Sequence, residues 1–135
     1  NKKANSWNHL DSVHQSFKGP WICISKFNDI TNRSEKHRGR PTSNNLGNGI
    51  KELMSRHGII DIGFTEPQFT WSNNKHGSTL IRERLDRVII NQEWRLIFPD
   101  AVLQHLTSSA SDHHPLLLHT ATNIHKSSSF KFETF

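Results

Sequence analysis

The run "PWICISKF", residues 20–27, constrains the fold most. It is apolar without alternation from Trp21 to Ile24 and rich in residues that favour extended backbone, so it reads as a central strand. "RLDRVII", residues 84–90, reads as another strand, as do "AVLQHL" and "PLLLHT". Segments of helical spacing lie between them. Trp7, Leu10, Val13 and Phe17 fall close to a helical period, with Asn5 or Ser6 placed as cap and Gly19-Pro20 as stop. Leu46, Ile50, Leu53, Met54 and His57 mark one face of a second helix, which Gly58 is placed to end and whose first turn Gly47 and Gly49 weaken. Asn91 is placed to cap a short helix, "QEWRLIF", closed by Pro99. Strands alternating with helices, and no fixed repeat, predict a mixed α/β domain with helices packed on a sheet.

The connections carry their own signals. Residues 29–45 are polar and basic and read as a long surface loop. "IIDIGF" and "QFTWSN" read as short strands, and "NNKHGSTLIRE" as an exposed hairpin or loop with Gly77 at its tip. The Ser-rich tail "NIHKSSSFKFETF" reads as a linker, which sets the expected domain at 1–120 and the linker at 121–135.

A chain of 135 residues suits one domain, but only 33% of it is hydrophobic, so the core is thin. Lys plus Arg exceed Asp plus Glu by 17 − 12 = +5, which favours an anionic partner such as nucleic acid or serves solubility alone. One cysteine, Cys23, excludes a disulfide framework and a zinc ribbon, and fits an inert thiol in a reducing compartment. No window approaches the roughly 18 apolar residues that span a bilayer, and no signal peptide opens the chain. The expected location is nuclear or cytoplasmic, with no membrane partner. The chain opens "NKKANSW" without Met, which fits a piece of a longer one.

Alternation sorts the side chains of the strands. Ile22, Ile24, Lys26 and Asn28 share one face, and Asp86 stands in line with Val88 and Ile90. In "SSASDHHPLLLHT", Asp112 and His113 precede Pro115 and the row Leu116 to Leu118. Polar groups at the ends of apolar rows need partners or substrate. Singly, each reads as a turn cap or a water contact. Together, an Asp beside a His orients imidazole as a general base and a further carboxylate holds a divalent metal, a combination suited to phosphate-ester hydrolysis. Ten histidines match no zinc signature, and no Gly-x-Ser-x-Gly turn supports a serine nucleophile.

"PWICISKFNDI", "GIIDIGFTEPQFTWSNN", "RERLDRVIINQEWRLIFPDA" and "SSASDHHPLLL", in that order, resemble the C-terminal half of the endonuclease/exonuclease/phosphatase superfamily. The likeness is to the apurinic-endonuclease-like domains of LINE-type, non-LTR retrotransposons, particularly those of plants, and runs from about Trp7 to His119. It implies part of a four-layer α/β sandwich of the DNase I-like fold, and Mg²⁺-dependent cleavage of phosphodiester bonds in DNA. On the matching positions, His113 is the expected catalytic histidine and Asp86 the carboxylate that orients it. Asp112 is the acidic residue near metal and attacking water, and Asn28 the asparagine that holds the scissile phosphate. Trp71, Asn73, Asn74, Lys75 and His76 are expected DNA contacts, with Arg82 and Arg84 adding positive charge.

The family's Gly-Asp-Phe-Asn is here Ser25-Lys26-Phe27-Asn28, so a cation stands where the resemblance calls for a carboxylate, at a position expected to project towards Asp112, His113 and Asn28. The family's N-terminal half, with its metal-binding glutamate, has no counterpart in these residues. The expectation is a fragment without nicking activity of its own that keeps weak, non-specific affinity for DNA. The alternatives are a nicking endonuclease once the missing half completes it, and a non-catalytic nucleic-acid-binding or interaction module; the missing half, or the reverse transcriptase of the full element, is an expected partner besides DNA.

Overall fold

A computed structural model describes residues 2–40, 48–107, 111–121 and 129–132. Along them run α1 (Lys2–Ser16), β1 (Ile22–Lys26), β2 (Lys36–His37), α2 (Asn48–His57), β3 (Ile60–Asp61), β4 (Trp71–Ser72), β5 (Arg82–Glu83), β6 (Asp86–Ile90), α3 (Gln92–Ile97), β7 (Val102–His105), β8 (Leu116–His119) and β9 (Ser129–Phe132). The strands form three small antiparallel sheets, ordered β1-β6-β3, β2-β5-β4 and β7-β8-β9. The fold is mixed α/β.

β6 organises the core. Its five residues are all buried, and alternation sends them two ways. Val88 and Ile90 pack with Ile22 and Ile24 of β1 against Leu103, Leu116 and Leu118 of the third sheet and Trp94 of α3. Ile89 packs on the opposite face with Leu10 of α1 and Ile50 and Leu53 of α2, where half-buried Cys23 joins them. Helices therefore cover one face of the first sheet and β7–β8 the other. Each fully buried aliphatic side chain contributes about 1.5–3 kcal/mol. β1 departs from the sequence reading: among the described residues it is an edge strand and β6 is central. Apolar residues on both faces of β1 reflect layers above and below it, which an edge strand also has.

Three local expectations change. α1 runs through Asn5 and Ser6 instead of being capped there. α2 buries Ile50 and Leu53 as its spacing requires and ends where Gly58 takes φ +64, whereas Leu46 and Gly47 lie outside the described residues. Gly49 weakens α2 but admits Trp7: a Cβ there would lie 2.4 Å from the indole, which stacks on Phe27 at 5.4 Å. The expected surface loop from residue 29 is partly built in: Asn32 caps a 3-10 turn at Arg33–Glu35, and Glu35 is buried. Within the expected linker at 121–135, most of which lies outside the described residues, Ser129–Phe132 pair antiparallel with Leu116–His119. Alternation in "SFKF" already suited a strand, and β8 offered a free edge.

Candidate functional site

Two chain segments meet at the head of β6. Asp86, fully buried, opens the strand, and the segment 111–115 leads into β8 beside it. Trp71 bridges to His113, the Ser72 amide donates to the Asp112 carbonyl at 2.9 Å, and the His114 amide donates to the Thr70 carbonyl at 2.7 Å. These bonds bring His113 against Asp86, and its Nδ1 lies 2.9 Å from Asp86 Oδ2. An ionised carboxylate only accepts, so Nδ1 is the donor of this bond, and in the neutral imidazole Nε2, which has no hydrogen-bond partner among the described residues, keeps the lone pair. Asp86 Oδ1 is buried and likewise has no partner among the described residues. A fixed tautomer with an open basic nitrogen is the arrangement a general base needs.

The other candidates distribute unevenly. Lys26 is the register partner of Asp86 across β1 and β6, which places both on one face of the sheet. It is exposed and makes no ion pair among the described residues, so it does not pair with Asp112. Asn28 follows in a left-handed conformation, φ +56, and is exposed. Asp112 is exposed as well, and Trp71 is half-buried beside His113.

Of the expected DNA contacts, Asn74, Lys75, His76 and Arg82 are exposed on the β4–β5 hairpin. Gly77 sits there with φ +62, and Arg38 Nη1 donates to its carbonyl at 2.6 Å, which ties the segment after β2 to the hairpin. Asn73 is different. Its Oδ1 accepts from the Lys75 and Ile81 amides and its Nδ2 donates one hydrogen to the Thr79 carbonyl, so the side chain holds the loop together.

Arg84 is a correction. It is 4% exposed and bonds Glu35 Oε1 at 3.1 Å and Asp61 Oδ1 at 2.9 Å, within a buried group completed by Arg87. Arg87 bonds Asp61 Oδ2 at 2.8 Å and both oxygens of Glu35. Burial raises the pKa of Glu35, but the Arg87 guanidinium and the Thr31 donors outweigh it and leave the group below its ordinary value. Asp61 is likewise raised by burial and lowered further by Arg84, the Gly63 amide and Arg87, with a net fall. Sequence reading missed this group because Glu35 sits in a stretch that looks like solvent-exposed loop.

A resident Mg²⁺ takes near-octahedral oxygen ligands, with one or two carboxylates and several waters. Among the described residues no three side chains drawn from His, Cys, Asp and Glu converge as such a cage. Exposed Asp112 would supply one carboxylate to such a shell, with waters or further residues completing it.

Thr70 was also missed. It is fully buried, and its Oγ1 accepts from the amides of Leu85 at 3.0 Å and Asp86 at 3.1 Å. Its signal was slight: one polar residue between Phe69 and Trp71 in a presumed strand. No family model, curated protein or solved structure matches the chain.

Proposed function

We propose that this chain is the C-terminal half of a phosphodiesterase domain of the DNase I-like, endonuclease/exonuclease/phosphatase type, resembling the DNA-nicking domains of plant LINE-type retrotransposons, and that it does not cleave DNA by itself. The observation that carries the reading is the bond from His113 Nδ1 to a fully buried Asp86 at the mouth of two strands. Such a pair orients imidazole, and Nε2 then faces a reacting group as base or, once protonated, as donor. Helices, a first sheet and the β7–β8 layer stacked in that order are compatible with part of a four-layer sandwich.

Lys26 argues for inactivity. On the same sheet face as Asp86 it presents an ammonium, which has three donors and no acceptor and therefore cannot take a proton from an attacking water. Binding fares better, since Arg38, Lys75, His76 and Arg82 lie on one hairpin and the strap bonded to it. Phosphate contacts of this kind are nearly blind to sequence and weaken with salt.

The test is nicking of supercoiled plasmid with Mg²⁺ by the chain mixed with the N-terminal half of an intact relative. The Lys26 form is expected to leave the plasmid intact, Lys26→Asp to nick it, and a further His113→Ala change to abolish nicking. Nicking by the Lys26 form that is lost on His113→Ala would overturn inactivity. No nicking by Lys26→Asp, together with no salt-sensitive binding to duplex DNA, would overturn the endonuclease reading.

A further inference from the structure

Thr70 joins both halves of the Asp86–His113 pair through opposite ends of one residue. Its hydroxyl oxygen accepts from the amides of Leu85 and Asp86, at the point where β5 has ended and β6 begins. Its carbonyl accepts from the His114 amide at 2.7 Å, next to the Trp71–His113 bridge. The Thr70 amide donates to the Glu83 carbonyl at 3.1 Å, which fixes the residue itself to the hairpin. The residue is fully buried, so no water substitutes for these bonds at its surface. Two consecutive amides that share one side-chain acceptor have a single place to go, and losing that acceptor leaves both buried donors unpaired.

We infer that Thr70 is the positioning residue of the site: its hydroxyl sets the backbone of Asp86, its carbonyl sets the backbone that carries His113, and together they hold His113 as the Nδ1–H tautomer. The inference rests on reading the Asp86–His113 pair as the acid-base element of the proposed phosphodiesterase. Thr70 touches neither reacting atoms nor substrate; it acts through the two residues that would.

The consequence separates chemistry from packing. Valine has the shape of threonine without the hydroxyl, and serine has the hydroxyl without the methyl. If Thr70 were only a packing residue, Thr70→Val would be the milder change. If it positions the pair, Thr70→Ser is the milder one. His105 supplies an internal control, because its Nδ1 lies 2.7 Å from the Pro67 carbonyl and reports the fold at a second buried imidazole.

The experiment is long-range ¹H–¹⁵N correlation of the imidazoles in the wild-type chain, Thr70→Val and Thr70→Ser, with amide hydrogen exchange in the wild type. Wild-type His113 is expected as Nδ1–H with a bare Nε2, and Thr70→Ser is expected to match it. Thr70→Val is expected to lose the preference and show both tautomers, with His105 still Nδ1–H. A Thr70→Val chain that keeps wild-type His113 while folded overturns the inference. Wild-type His113 in the other tautomer overturns the reading of the pair itself, a separable failure. Should Thr70→Val not fold, exchange decides: Leu85 and Asp86 amides protected like those of β6 support the inference, and free exchange at both overturns it.

Discussion

Asp86 and the Glu35–Asp61 group are both buried carboxylate sites within reach of β6, yet they are finished differently. Every oxygen of Glu35 and Asp61 is taken: Thr31, Arg84 and Arg87 serve Glu35, and Gly63, Arg84 and Arg87 serve Asp61. Two carboxylates face two guanidiniums, so the charges cancel within the group. Asp86 has one bonded oxygen and one buried oxygen with no partner among the described residues, and its partner is an imidazole that can be neutral. The first arrangement spends its polar groups on holding the 29–35 segment and β3 to β6. The second leaves one acceptor open, among the described residues, beside the His113 imidazole. Satisfaction of the anion, more than its burial, distinguishes the two.

The largest expected effect falls on the closed group. Arg87→Met strands Glu35 and Asp61 in the interior, and breaking a buried ion pair in this way costs about 3–5 kcal/mol. For a domain whose total stability is about 5–15 kcal/mol, the urea midpoint should collapse. A midpoint within experimental error of wild type would show that the group does not hold the fold.

Acid comes next and acts on the same side of the comparison. Burial lowers the pKa of His105 to about 4 from 6.5 despite the Pro67 carbonyl that it bonds. The folded chain thus binds fewer protons there than the unfolded one, and stability is full above pH 6.5 and lost as the pH falls from 6.5 to 4, by about 3 kcal/mol. Glu35 and Asp61, held below their ordinary values, add to the loss at pH below the usual carboxylate range. Urea midpoints at pH 7, pH 4.5 and pH 3 measure the two parts of the slope, and His105→Phe should flatten the part between pH 7 and pH 4.5. A slope unchanged in His105→Phe would remove this histidine from the account.

Asp86→Asn probes the open site directly. It keeps the shape and removes a buried charge that has one partner, so stability should move by no more than about 1 kcal/mol. His113 should nevertheless lose its Nδ1–H preference in imidazole ¹⁵N spectra. Destabilisation as deep as that of Arg87→Met would erase the contrast between the two sites.

The smallest structural effect is expected on the hairpin. Lys75→Ala and Arg82→Ala should leave the urea midpoint within about 0.5 kcal/mol of wild type. Each should lower affinity for duplex DNA in fluorescence anisotropy and reduce the salt slope by about 1. Affinity that does not vary with salt would end the electrostatic account of this surface.

Much of this could be read from residues in order. Period-two alternation in "WICIS" and "RVII" assigns Lys26 and Asp86 to the same sheet face as the apolar rows they extend, and the register confirms that placement. Asn91 caps α3 by accepting from the Trp94 amide, and Gly58 and Gly77 take positive φ where their positions as helix stop and loop tip required it. Such features are local: dihedral preference and side-chain spacing decide them within a few residues. What only the tertiary structure decided involves partners far apart in the chain. Glu35 meets Arg84 and Arg87 across separations of 49 and 52 residues, and that meeting places Arg84, expected at a DNA-facing surface, in the core. Ser129–Phe132 become a strand because β8 presents an edge. Thr70 finds the amides of Leu85 and Asp86 because β4, β5 and β6 converge there. A charged or polar side chain carries no local mark of its own burial; that depends on whether a distant group arrives to satisfy it.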